Sequence, residues 1–196
     1  MSERQSGTCI SNIGVSHRAR YNFAAKFLPK KATVLDVFCG VGYGSNLLAN
    51  AGAIVTAFDK SKEAIESART NFSHPSLTFI CSPFSNIDLP ERHFNFVTCF
   101  EAIEHTDAAL ALLAFINSWM SDKAQLFIST PNQLRLPFNK SRWPYHSQHF
   151  TPDELEEILN STGFRVTNWY SQERKGTSFF KDGTDGDFIM ARCLCL

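Results

Sequence analysis

The sequence predicts an α/β fold: a Rossmann-like, seven-stranded, mostly parallel sheet with its last strand antiparallel and helices on both faces. Three observations predict it. Apolar strand-like runs alternate with helix-like segments between residues 33 and 130, the order that builds an open parallel sheet covered on both sides. The first of these runs, TVLDVF, ends in glycines spaced two apart, Gly40, Gly42 and Gly44. The last two strand-like runs follow each other without a helix between them, and strands joined in that way can pair antiparallel.

The elements follow in order. Residues 1–16 are polar and read as a flexible arm or lid, leaving 17–196 as a single domain, a size that suits the 196-residue chain. HRARYNFAAKFL, from His17, fits a helix with Tyr21, Ala24, Ala25 and Leu28 on one face, stopped by Pro29. Strand one covers 33–38, and a helix over about 44–51 ends near Gly52. AIVTAFD (53–59) is apolar nearly throughout, as a strand buried on both faces should be. Ser61 can cap the helix that follows, with Ala64, Ile65 and Ala68 inward. SLTFICS and FNFVTCF supply strands three and four. A helix over about 107–120 has Leu110, Leu113 and Ile116 among its apolar positions, and AQLFIST (124–130) is strand five. Residues 131–150 hold three prolines, aromatics, basic residues and two histidines, and form a long loop of the kind that often carries function. Thr151 and Glu154 make a capping box with Pro152 at the first helical position. FRVTNWYS and DFIMARCLCL are the final strands, with a turn-rich connector between them.

Composition narrows the function. Hydrophobic residues make up 43% of the chain, enough for a full core, and its 18 phenylalanines read mainly as core aromatics. Lys plus Arg equals Asp plus Glu at 19 each, so no broad positive field invites nucleic acid. The six cysteines form no C-x-x-C pair and read as small buried hydrophobes in a reducing compartment. No signal peptide and no membrane-length apolar run occurs, so a soluble, cytoplasmic protein is expected.

Ligands on such sheets bind beyond the carboxyl ends of the strands. Strand one brings Asp36 and the turn of Gly40, Gly42 and Gly44, where a missing Cβ lets a ligand approach and the next helix offers unpaired N–H groups. Strand two brings Asp59, whose carboxylate can accept bonds from a ribose diol or cap the next helix. Strand three brings Ser82 and Phe84, strand four Phe100, Glu101, Glu104 and His105, and strand five Thr130 to Asn132. Together they predict a nucleotide-like cofactor.

This ordered set resembles the class I S-adenosylmethionine-dependent methyltransferases. The resemblance rests on D-x-x-x-G-x-G-x-G from Asp36, the acid closing strand two, F-x-x-V-x-x-F-E-x-I-E-H ending at His105, and S-T-P-N at 129–132. It covers about residues 17–170 and is nearest to the small-molecule enzymes of the ubiquinone-biosynthesis and glycan-modifying kind. It implies S-adenosylmethionine as cofactor, held by Asp36, Gly40, Gly42, Gly44, Asp59, Ser82, Phe84, Phe100 and Glu101. It implies methyl transfer to a small-molecule or glycan-type acceptor, with oxygen the expected atom. Membrane and nucleic acid are disfavoured as partners, and a protein partner stays open. Two departures stand out. Phe38 occupies a position that is usually small in the family, and Ser82 stands where an acid often reaches the adenine amino group.

A hydroxyl acceptor calls for a base, and His105, His146 and His149 are the candidates. His105 is expected at a helix start, where a protonated ring is disfavoured. No metal site is expected, because no clear carboxylate accompanies the H-x-x-H spacing of His146 and His149. Trp143, Tyr145 and Phe150 suggest an apolar acceptor wall. Arg135, Lys140 and Arg142 suggest an anion site or a solvated face. Two alternatives remain open. One is a non-catalytic binding protein of the same fold, favoured by Phe38 and the missing acid. The other is a nicotinamide-dependent oxidoreductase, whose usual fingerprint is G-x-G-x-x-G rather than the spacing found here. The N/D-P-P-Y/F motif of base methylation is absent after strand four, which argues against nucleic-acid amino methylation.

Overall fold

The computed structural model describes residues 14–174 and 181–196. Most of the expected N-terminal arm, Cys9 and part of the last connector lie outside the described residues. The order is α1 (Val15–Ala25), β1 (Thr33–Val37), α2 (Tyr43–Asn50), β2 (Ile54–Asp59), α3 (Lys62–Asn71), β3 (Leu77–Cys81) and β4 (Phe94–Phe100). There follow a 3-10 turn (Ile103–His105), α4 (Ala109–Trp119), β5 (Met120–Pro131), α5 (Pro152–Ser161), β6 (Phe164–Gln172), β7 (Lys181–Asp182) and β8 (Phe188–Cys195).

The strands form one sheet in the order β3-β2-β1-β4-β5-β8-β6-β7. The first five are mutually parallel, and β8 runs antiparallel between β5 and β6. Seven principal strands thus stand as the alternation predicts. The eighth, β7, is a two-residue edge against Tyr170 and Ser171, too short to show as a strand in the sequence.

Alternate residues of the central strands feed two cores. Val34 and Val55 pack with α1, α2 and α3, whereas Leu35 and Val37 pack with α4 and α5. Covering on both faces explains the near-continuous apolar runs. Ser61 caps α3 by accepting from the Ala64 N–H, and Thr151 and Glu154 complete their reciprocal capping box.

Several expectations are corrected. α1 begins two residues early, at Val15, and ends at Ala25 before Pro29 is reached. In α4, Leu112, Leu113 and Ile116 are buried while the apolar Leu110 is 55% exposed. β5 begins directly after α4, with Met120 opposite Phe94 and an irregularity before Gln125 meets Phe96. Lys123, with φ of 61°, makes the bend that hides this early start. Cys81 is exposed at the sheet's edge-strand end, although Cys39, Cys99, Cys193 and Cys195 are buried. No helix among the described residues is long and apolar enough to cross a membrane.

Candidate active site

The strand order reverses between β1 and β4, the position where a parallel sheet opens a crevice. A cleft of about 910 Å³ lies there. Its floor comes from the strand ends: Phe38 to Val41 after β1, Asp59 and Lys60 after β2, Pro83 and Phe84 after β3, Phe100 and Glu101 ending β4, and Pro131 ending β5. α1 adds His17 and Tyr21. The 131–150 loop adds Trp143, Tyr145 and His146.

The three glycines of the turn have different tasks. Gly40 has φ of 56°, and a Cβ there would meet nothing within 4 Å, so its face is open. Gly42 also has positive φ, but its Cβ would lie 2.6 Å from the Phe79 ring and 2.8 Å from Ala68. A Cβ on Gly44 would lie 2.0 Å from the ring of Tyr21. Gly42 and Gly44 therefore permit close packing, and neither lines the cleft.

Asp59 joins the parts of the floor. One carboxylate oxygen accepts from the Gly40 N–H at 3.0 Å and the other from the Ser61 N–H at 2.8 Å. It thus ties the glycine turn to the start of α3. Asp59 itself lines the cleft.

Asp36 is a correction. It is fully buried beneath the turn and is absent from the cleft wall. Hydroxyls of Ser45, Thr98 and Tyr21 donate to it at 2.6, 2.8 and 3.1 Å. Burial lifts its carboxyl to about 6 against the opposing pull of these three donors. Its task is to lock α1, α2, β1 and β4 together. Ser82 is a second correction, because its hydroxyl faces the Pro83 carbonyl at 3.0 Å and does not line the cleft. Phe84 does line it and packs edge-on against Phe115.

Phe38 has φ of 56°, a conformation glycine takes without cost. That explains the small residue found here in the resembling family. The Phe38 ring stands among Phe58 and Phe84, with centroids 5.8 and 6.1 Å away. Glu101 also has positive φ, 50°. Its Oε1 accepts from the Ser129 hydroxyl at 2.8 Å. Two strained residues thus stand at adjacent strand ends, both on the cleft.

The sequence reading missed Arg20. Its side chain is 1% exposed, its guanidinium nitrogens have no hydrogen bond, and it lies over the Phe188 ring. Among the described residues its ion pair is with Glu101, at 3.7 Å. Glu101 and Phe188 both line the cleft, whereas Arg20 stands behind them and does not. No local signal marks it, because its burial is set by Glu101 and Phe188 from distant segments.

The histidines converge although 41 positions separate His105 from His146. His149 Nδ1 lies 2.6 Å from the Leu136 carbonyl oxygen, so it must donate, and its Nε2 then accepts from His146 Nδ1 at 2.7 Å. His105 Nδ1 likewise donates to the Tyr145 carbonyl oxygen at 3.0 Å. In the neutral rings of His105 and His146 the lone pair therefore sits on Nε2. Burial, then the neighbouring His105, His149 and Lys140, pushes His146 down to about 3. His149 is also lowered by burial, lies behind His146 and does not reach the cleft, which corrects its place among the bases. His105 sits in the 3-10 turn, four residues before α4, so the helix-start argument does not apply to it.

Glu104 is fully buried on the same wall, and its Oε2 accepts from the Thr130 hydroxyl at 3.2 Å. Burial, followed by the charge of Glu101, holds its carboxyl well above the usual range. Elsewhere in the loop, Phe150 is buried in the core rather than in the acceptor wall. Arg135 pairs with Asp187 at 3.9 Å, Lys140 donates to the His146 carbonyl and Arg142 covers the Trp143 ring. None of the three lines the cleft.

The sequence profile of the family described as Methyltransferase domain matches residues 14–168. The chain belongs to this methyltransferase family. A probable S-adenosylmethionine-dependent methyltransferase of Mycobacterium tuberculosis is 28% identical over 135 residues, 67% of this chain and 48% of that protein. The ubiquinone biosynthesis O-methyltransferase of Haemophilus ducreyi is 35% identical over 107 residues, 51% of this chain and 45% of that protein. The chain thus spans about half the length of these curated relatives. The crystal structure of an S-adenosylmethionine-dependent methyltransferase from Mesorhizobium loti superposes with a TM-score of 0.75 at 16% identity, covering 92% of this chain and all of that one. That likeness shows the fold. The methyltransferase cofactor is S-adenosylmethionine. The residues present fit it: an open glycine face, a carboxylate beside it and an aromatic wall.

Proposed function

We propose that this chain transfers the methyl group of S-adenosylmethionine to an oxygen of a small-molecule or glycan-type acceptor. In this reading Asp59 holds the ribose hydroxyls, Gly40 lets the backbone approach, and Phe84 and Phe38 flank the adenine. Arg20, behind the cleft wall and ion-paired with Glu101, lends its positive charge to the cofactor's carboxylate end, its guanidinium making no hydrogen bond of its own. Trp143, Tyr145 and Phe188 form the acceptor side, so residues 131–150 act as the substrate loop of a single domain.

The bound cofactor supplies a methyl group already activated by its sulfonium. The chain's own residues have to align the acceptor, exclude water and help the hydroxyl lose its proton. One observation carries the oxygen reading: His105 and His146 stand together on the cleft with rings 4.6 Å apart and their Nδ1 atoms committed. The name of the Haemophilus ducreyi relative, an O-methyltransferase, supports the same atom. The free thiols of the described cysteines suit a cytoplasmic setting.

The test is a screen of hydroxylated metabolites with isotope-labelled donor, read by mass spectrometry, on the parent chain and on His105→Ala and His146→Ala. Label should reach an oxygen, and each variant should lose about 100-fold or more in kcat. Label found on nitrogen or carbon, or two fully active variants, would contradict the oxygen reading.

A further inference from the structure

The Glu104–His105–His146 cluster has a property that proton transfer does not need. One ligand atom from each of the three residues lies within 4.8 Å of the others. They come from two distant segments, held together where the Ser147 N–H donates to the Glu104 carbonyl oxygen at 2.7 Å and His105 bonds the Tyr145 carbonyl. The carboxylate that the sequence did not place beside the histidines is therefore supplied by the turn after β4.

The polar groups behind the cluster fit metal ligation. Metal-bound imidazoles usually donate their other N–H to a carbonyl or a similar acceptor, which fixes the ring and its tautomer. His105 does this through Tyr145, and His146 does it through His149, itself held by Leu136. Glu104 carries the second, independent observation. Its side chain is fully buried, Thr130 satisfies only Oε2, and Oε1 has no hydrogen-bond partner. A buried carboxyl oxygen left without a partner is costly, and the cost ends when a cation takes it.

We propose that Glu104, His105 and His146 bind a first-row divalent cation on the acceptor wall of the cleft. Two imidazoles and one carboxylate suit Zn²⁺, Mn²⁺, Fe²⁺ or Co²⁺, whereas Mg²⁺ and Ca²⁺ prefer oxygen ligands throughout. His149 is a positioning residue that orients His146. The purpose of the site rests on the oxygen-acceptor reading: with both Nε2 lone pairs on the cation the imidazoles do not take the proton themselves, and the cation instead draws in the acceptor hydroxyl and eases loss of its proton to solvent. Its existence does not depend on that reading.

The experiment titrates chelator-stripped full chain with Zn²⁺ by calorimetry and with Co²⁺ by visible absorption. Binding of S-adenosylmethionine is measured on the same sample. The expected result is one saturable equivalent of metal, weakened tenfold or more in each of His105→Ala, His146→Ala and Glu104→Gln, with a smaller loss in His149→Gln. Circular dichroism identifies any variant that does not fold, and the two loop and turn histidines serve if Glu104→Gln is lost. Absence of saturable binding in the parent chain overturns the proposal, as does unchanged binding in the folded variants. Cofactor binding without metal binding removes the cation site alone. Metal binding without cofactor binding removes the methyl-transfer reading and leaves the site.

Discussion

Asp36 and Asp59 stand at or near the ends of two neighbouring strands, yet only Asp59 meets the cleft. The difference is one of side. Asp36 points into the α1–α2 core, where three hydroxyl donors hold it, and Asp59 points along the floor, where backbone N–H groups of Gly40 and Ser61 hold it. His17 shows another consequence of burial at residue scale. Burial, then the charge of Arg20, lowers it to about 3 from the ordinary 6.5. The unfolded chain therefore binds a proton between these values that the folded chain refuses. The resulting penalty is absent above pH 6.5 and grows as pH falls toward 3. At pH 5 it should cost about 2 kcal/mol. Denaturant unfolding of the parent and of His17→Gln from pH 7 to 5 checks this. The stability difference between the two should move against the parent as pH falls, and a constant difference would refute the assignment.

At the scale of elements, the glycine turn serves packing as well as binding. α2 can lie against α1 only because Gly44 leaves room for the Tyr21 ring, which is pinned by its bond to Asp36. Gly44→Ala should therefore destabilise the fold by about 2–3 kcal/mol, the usual cost of overpacking. Gly40→Ala meets open space and should cost only the left-handed backbone term, about 1–2 kcal/mol, while weakening cofactor binding. Thermal melts and cofactor titrations of both variants separate the two effects. Equal stability losses, or a binding defect confined to Gly44→Ala, would contradict this division. The glycine pattern was legible because apolar run, turn and helix are contiguous. The division of labour was not, because it is set by Tyr21, Phe79 and Ala68, which arrive from other elements. The Ser61 and Thr151 caps were legible for the same local reason. The early start of β5 was hidden by the bend at Lys123.

Over the whole molecule, the sheet places residues from five strand ends and two outer segments around one cleft. The alternation of strands and helices is contiguous in the chain, so the fold class and the strand-end residues could be read from sequence, whereas the order of strands in the sheet is a finding of the structure. The meeting of Glu104 with His146 could not, because it depends on a long loop folding back onto the turn after β4 through Ser147 and Tyr145. Arg20 was missed because nothing local marks an arginine as buried. The central claim is that this cleft is built for S-adenosylmethionine with Asp59 at its ribose. Isothermal titration of the cofactor into the parent chain and into Asp59→Ala tests it most directly. The account predicts saturable one-site binding by the parent and at least a tenfold loss, about 1.4 kcal/mol, in the folded variant. No binding by the parent, or equal affinity in both, would contradict it.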